Sequence, residues 1–306
     1  MALVLTILRN IFVIALCMLL IICRTIAQEN SSRLNNKNIS MKNSPQTLIT
    51  DLGYGESPRW HDGKLWFCNW TMQEIIAIDT DGKIETTIKL PFTSFPFSID
   101  WLPDGQLIII SASDQPLLRM EPNGSLVPHA DLSSLNVKAW NEIAIDSRGN
   151  IYINGADIIA LVTPDGSVKK VADSISFPNG MIVTNDNSTL VIAESNGKRL
   201  TAFDINNDGI LTNRRIWADL KDGVPDGICL DAEGAIWYGD VPNKRCVRVR
   251  EGGEILQVVS LDKGCFACSL GGTNKKTLFM MVAEWRGLKK CLMEGVPVRH
   301  KLWMFL

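Results

Sequence analysis

From residue 47 onward the apolar residues come in short runs, each closed by a polar, turn-forming group. Six segments share one plan: a polar or otherwise distinctive first residue, a short apolar run, a tight turn, then a second run. They are "ESPRWHDGKLWFCN" from Glu56, "FSIDWLPDGQLIIIS" from Phe97, "NEIAIDSRGNIYING" from Asn141, "NGMIVTNDNSTLVIAE" from Asn179, "DGICLDAEGAIWYGD" from Asp226 and "ACSLGGTNKKTLFMMV" from Ala267, with starts 38 to 47 residues apart. The dipeptides "DG", "RG", "DN" and "EG" between two apolar runs are hairpin chemistry. Further turns near Gly82, Gly124, Gly166 and Gly209 fall between the units and supply outer hairpins. No amphipathic helical period interrupts this plan after residue 46.

A repeat of about 40 residues holding four short strands is a propeller blade, whose twisted sheet must bury both faces against neighbours. Six units predict an all-β, six-bladed β-propeller around a central channel. Solenoids are disfavoured because the units lack helices, and a pair of β-sandwiches is the alternative. The domain expected from this pattern runs over residues 47–306. The segment 46–55, "QTLITDLGYG", is expected to pair with the last blade and leave the ring without a free edge. Residues 288–306, "LKKCLMEGVPVRHKLWMFL", are an unusual end with a basic stretch and an apolar finish, and are expected to pair there only if "LWMFL" forms a strand.

The chain before residue 47 differs in kind. Residues 11–23 are an unbroken apolar run after Arg9, followed by "RTIAQ". Residues 1–27 therefore read as a secretory signal peptide, with an uncleaved signal-anchor as the alternative. Membrane association is expected only in that second case, and the protein is expected to be secreted or in the lumen of the secretory pathway. Residues 28–46 are polar and read as a flexible linker. Five N-x-S/T sequons, at Asn30, Asn38, Asn69, Asn123 and Asn187, agree with that route.

The first positions of the six units carry the candidate chemistry: Glu56, Phe97, Asn141, Asn179, Asp226 and Ala267. In a propeller they ring the channel mouth. Four of the six carry side-chain oxygens and two are anionic, an arrangement that costs desolvation and repulsion unless a cation offsets it. The Glu56 and Asp226 carboxylates and the Asn179 amide oxygen are ligands of the type that a hard divalent cation prefers. The competing reading is that Asn and Asp merely cap turns at strand starts.

These motifs resemble the gluconolactonase-like (regucalcin, or senescence marker protein) family across roughly residues 47–287. The carriers are "GESPRW" from Gly55, "NEIAIDSRGN" from Asn141, "FPNGM" from Phe177, "PDGICLDAEGAIW" from Pro225 and "LGG" from Leu270. The resemblance implies a six-bladed propeller with one divalent metal in the channel. By position, Glu56, Asn179 and Asp226 match the family's metal ligands, and Asn141 matches its substrate-contacting asparagine. It implies hydrolysis of a lactone, of sugar-lactone type, to the hydroxy acid, with Asp226 as general base. Calcium suits the oxygen ligands, and zinc, magnesium and manganese are alternatives. Some members place an arginine two residues before the substrate asparagine. Ala139 stands there in this chain, flanked by Lys138 and Trp140, which are candidate pocket residues. From a different class, a catalytically silent propeller that binds calcium or a partner is the alternative function.

Net charge and cysteine content remove other classes. A formal charge of −2 over 306 residues gives no basic footprint, so no nucleic-acid partner is expected. The histidines are His61, His129 and His300, and no Ser–His–Asp pattern accompanies them. Of eight cysteines, Cys17 and Cys23 fall in residues 1–27. Cys265 and Cys268 form a single C-x-x-C, read as structural rather than zinc-binding or redox-active.

Overall fold

Twenty-four strands fall among the described residues and pair into six antiparallel sheets of four. The computed structural model describes residues 44–112, 116–284 and 301–305. The chain divides into Met1–Ser44, of which only Ser44 is described, and a unit from Pro45 to Leu306. The signal-peptide reading and nearly all of the linker reading lie outside the described residues. Among the described residues no helix is long and apolar enough to cross a membrane.

The six sheets are the blades of a six-bladed β-propeller. Blade one is β2 (Gly55–His61), β3 (Lys64–Asn69), β4 (Glu74–Ile78) and β5 (Ile84–Lys89). Blade two is β6 (Phe97–Trp101), β7 (Leu107–Ser111), β8 (Leu117–Met120) and β9 (Leu126–Ala130). Blade three is β10 (Trp140–Ile145), β11 (Ile151–Gly155), β12 (Ile158–Val162) and β13 (Val168–Ala172). Blade four is β14 (Pro178–Val183), β15 (Thr189–Glu194), β16 (Arg199–Ile205) and β17 (Leu211–Asp219). Blade five is β18 (Pro225–Leu230), β19 (Ile236–Asp240), β20 (Arg245–Val249) and β21 (Ile255–Ser260). Each unit's first residue lies on the innermost strand of its blade.

Blade six closes the ring. Its order from the axis is β22 (Gly264–Gly271), β23 (Thr277–Ala283), β24 (Lys301–Phe305) and β1 (Gln46–Ile49). The N-terminal strand is therefore the outermost one, with Thr47 opposite Trp303 and Gln46 opposite Met304. The "LWMF" segment does form a strand, and Leu302 is fully buried against Leu65, Phe67, Phe279 and Met281 between blades six and one. Burying each such side chain contributes about 1.5–3 kcal/mol. The second and third strands of the blades are the most apolar and are almost wholly buried, as in β7, β12 and β23. Outer strands such as β5 and β21 are exposed along most of their length.

The innermost strands approach one another so closely that two glycines are required for packing. A Cβ on Gly227 would lie 2.6 Å from the Ala267 Cβ, and one on Gly180 would lie 2.6 Å from the Ile228 amide nitrogen. The glycine in "PNG" and in "PDG" thus lets one inner strand touch the next, immediately beside the residue aimed at the channel. Gly227→Ala is expected to lower stability by about 1–3 kcal/mol through overpacking, measured by chemical denaturation.

Candidate active site at the channel mouth

The inner strands bring the six first positions to one end of the channel, and β-bulges aim them. The β2–β3 ladder shifts register between Glu56 and Arg59, β10–β11 between Trp140 and Glu142, and β14–β15 between Pro178 and Met181. The β18–β19 ladder shifts between Pro225 and Ile228, and β22–β23 between Cys265 and Ala267. Blade two differs: β6–β7 runs in continuous register, and its first residue is the fully buried Phe97. A bulge turns a side chain out of the regular alternation, which is how it re-aims residues at a site. Ser57, at φ 51°, takes the left-handed conformation beside Glu56.

Glu56 is buried, whereas Asn141, Asn179 and Asp226 keep part of their surface open to the mouth. Glu56 and Asp226 interact directly as like charges. Burial pushes the Asp226 carboxyl up to about 8, against a hydrogen bond from the Asn179 side chain and with the help of Glu142's negative charge. Glu56 is likewise raised well above the usual carboxylate range, first by burial and then by Asp226 and Glu142. The Asn141 amide donates to the Pro178 carbonyl at 3.3 Å, which sets it beside Asn179. Asn179 itself is held by neighbours: its side-chain amide donates to Ser195 Oγ at 3.4 Å, and its backbone carbonyl accepts from Asn154 Nδ2 at 2.7 Å.

Glu142, Arg59, Ser57 and Ser98, which occupy none of the repeat's first positions in the sequence, form the floor of this site. Glu142 Oε1 accepts from Arg59 Nη2 at 2.8 Å, from Ser57 Oγ at 3.2 Å and from Ser98 Oγ. Arg59 also donates to the Ile143 carbonyl at 2.9 Å. Asp100 follows, with its carboxylate accepting from the Ile145 and Trp101 amides and raised to about 6 by burial, which the Arg59 charge opposes. Beyond this network the channel widens into a cavity of about 190 Å³, lined by Pro58, Arg59, Asp100, Met181, Cys229 and Ser269. Arg59→Leu would leave Glu142 buried without its cation, and a loss of about 3–5 kcal/mol is expected in denaturant unfolding.

The other sequence candidates are placed differently. Trp140 is 4% exposed and packs among Ile108, Leu132 and Ile158 between blades two and three, so it is core rather than pocket wall. Lys138 is exposed on the loop before β10. His61 ends β2 and stacks on Trp101 at 4.1 Å, and His129 is on the outermost strand β9, so neither reaches the channel mouth. His300 lies outside the described residues.

The donor set fits a hard divalent cation. Arg59 pairs with Glu142 and only partly offsets Glu56, while Glu56 and Asp226 repel each other and the Asn179 side chain donates to Asp226. A buried acceptor, Asn154 Oδ1, is also left without a protein partner next to Asn179. Among the described residues no three His, Cys, Asp or Glu side chains are grouped around a metal position. The candidate set contains only two carboxylates, and its third member is an amide.

Residues 54–284 match the model of the SMP-30/gluconolactonase/LRE-like region. Regucalcin of Xenopus laevis is 33% identical over 254 residues, covering 75% of this chain and 83% of that protein. A structure described as a calcium-binding protein, regucalcin, from Agrobacterium tumefaciens superposes with a TM-score of 0.71 at 22% identity, covering 86% of this chain and 93% of that one. A gluconolactonase of Xanthomonas campestris superposes with a TM-score of 0.69 at 20% identity, over 86% and 89% of the two chains.

Proposed function

The chain belongs to the SMP-30/gluconolactonase/LRE-like family, and from that premise we propose that it hydrolyses a lactone to the hydroxy acid with a divalent cation held by Glu56, Asn179 and Asp226. The observation that carries the reading is the meeting of two mutually repelling carboxylates, Glu56 buried and Asp226 half-buried, with an amide at the channel mouth. A cation bound there would supply positive charge to polarise the lactone carbonyl and stabilise the negative oxygen that develops on attack. Calcium is the proposed ion because every donor is oxygen.

Asp226 is the proposed general base. It is partly open to the mouth, and once its charge is compensated it accepts a proton from the attacking water. It returns that proton to the ring oxygen as the C–O bond breaks. Asn141 orients the lactone: its side-chain nitrogen donates to the Pro178 carbonyl, which leaves its side-chain oxygen to accept from a substrate hydroxyl. The Arg59–Glu142 pair and the two serines hold the floor rigid, so the mouth residues keep their aim without reorganising during the reaction. The test is hydrolysis of a panel of sugar and aliphatic lactones with and without chelator. Metal-restored turnover of at least one lactone is expected, and tight metal binding with no turnover of any would favour a silent calcium-binding propeller.

We further infer that residues 1–27 direct the chain into the secretory pathway. Asn123 then carries a glycan, because it lies exposed in the turn between β8 and β9. Asn69 does not, because it is 4% exposed and its amide donates to Glu74. Site-resolved mass spectrometry after deglycosylation is expected to find occupancy at Asn123 and none at Asn69.

A further inference from the structure

Four of the five cysteines among the described residues converge where blade five meets blade six, and the proposed hydrolysis uses none of them. Cys229 on β18 and Cys268 on β22 belong to the innermost strands of adjacent blades, with Sγ atoms 3.7 Å apart. The approach is imposed by the backbone, since Gly227 packs on Ala267 with no room for a side chain between them. Behind this pair, the Cys246 thiol on β20 interacts with those of Cys265 and Cys268. Cys265 donates to the Ala267 carbonyl at 3.7 Å, and Cys268 is within 3.7 Å of the Gly227 carbonyl and 3.5 Å of the Trp237 carbonyl.

The four thiols differ in access. Cys265 and Cys246 are fully buried and Cys268 is 2% exposed. Cys229 is partly exposed and lines the channel cavity of about 190 Å³. A disulfide bond is about 2.05 Å long, so the Cys229 and Cys268 sulfurs must approach by a little under 2 Å. A side-chain rotation of Cys229, which has open space beside it, supplies movement of that order. The C-x-x-C spacing in the sequence points to Cys265 with Cys268, but the structure sets Cys268 against Cys229 on the neighbouring blade.

We infer that Cys229 and Cys268 are a redox-active dithiol, which a small peroxide entering the channel cavity oxidises to a disulfide that ties blade five to blade six. The cavity selects the oxidant by size, admitting hydrogen peroxide but not a peptide disulfide. In the first step the Cys229 sulfur attacks the peroxide: an S–O bond forms, the O–O bond breaks, and the departing hydroxide takes up the thiol proton as water. In the second, the Cys268 sulfur attacks the Cys229 sulfur: the S–S bond forms, the S–O bond breaks, and a second water leaves with the Cys268 proton. The two thiols lose two electrons together, and the peroxide is reduced to two waters.

The test uses the full chain, reduced and then treated with hydrogen peroxide near stoichiometry, followed by alkylation, proteolysis and mass spectrometry. It reads thiols rather than lactone turnover, so its outcome is separate from that of the hydrolase reading. The expected result is a Cys229–Cys268 cross-linked peptide, two fewer titratable thiols per chain, and reversal by dithiothreitol. The bond closes a loop of several tens of residues, so a rise in Tm of about 5 °C or more accompanies it. Cys246→Ala retains the cross-link, and Cys268→Ala leaves a sulfenic acid on Cys229 that dimedone traps. A cross-link within any other pair, unchanged thiol titre after peroxide, or stoichiometric zinc held by the thiols would overturn the inference.

Discussion

Asp226→Asn is expected to lower lactone turnover by at least about three orders of magnitude while leaving the propeller folded. The side chain serves two roles in the proposed site, and the substitution removes both. Loss of a positioned general base costs about 10²–10⁴ in rate, and a cation held by one carboxylate fewer is worse placed to stabilise the developing oxyanion, a stabilisation worth about 10²–10³. The two losses overlap, since one carboxylate serves both. The asparagine keeps the shape of Asp226 and removes a repulsion with Glu56, so stability in the absence of metal should hold or rise. Steady-state kinetics at saturating metal, read beside a thermal melt, checks both halves. Unchanged turnover in this variant, or in the chelated parent protein, would remove Asp226 and the cation from the mechanism.

Cation affinity should rise with pH up to about 8. Without a cation, Asp226 holds its proton up to about 8, and burial with the Asp226 and Glu142 charges raises Glu56 well above its ordinary value. Binding a cation requires both carboxylates ionised. Each proton displaced makes the apparent affinity rise about tenfold per pH unit, and two displaced protons make it about a hundredfold. The same linkage fixes the sign for stability. The folded, metal-free state retains protons that the unfolded chain releases near pH 4, so its stability falls as pH rises from about 4 through 8. The metal-loaded protein lacks that slope. Titration calorimetry in buffers of different ionisation enthalpy counts the protons, and a pH-independent affinity would contradict the site as drawn.

Much of the architecture was legible because each blade repeats its own turn chemistry. The six starts from Glu56 to Ala267 all fall on innermost strands, and residues 46–49 close blade six. The floor of the site was not legible, and the reason is the bulge. Strict alternation puts Asn141 and Glu142 on opposite faces of β10, with only one of them serving the channel. The register shift beside Trp140 lets Asn141 reach the Pro178 carbonyl of blade four while Glu142 reaches Arg59, Ser57 and Ser98 of blades one and two. A bulge of this kind has no dipeptide signature that a single sequence reveals. Adjacency to Asn141 in sequence points Trp140 towards the pocket, but an indole at a blade interface gains more from burial than from a wet rim. The thiol cluster was hidden for another reason: its members come from two blades, and spacing along the chain carries no information about contacts between them.

The pairing of β1 with β24 has a consequence for how the chain is made. Residues 46–49 emerge from the ribosome early but cannot find their partner strand until residues 301–305 follow. Until then blades one to five can form in order, while the edge of β23 and the apolar face that receives Leu302 stay uncovered. Among the described strand pairs this one spans the longest stretch of chain, so it carries the largest loop-closure cost, and until it forms the nascent chain is an open ring with an exposed strand edge.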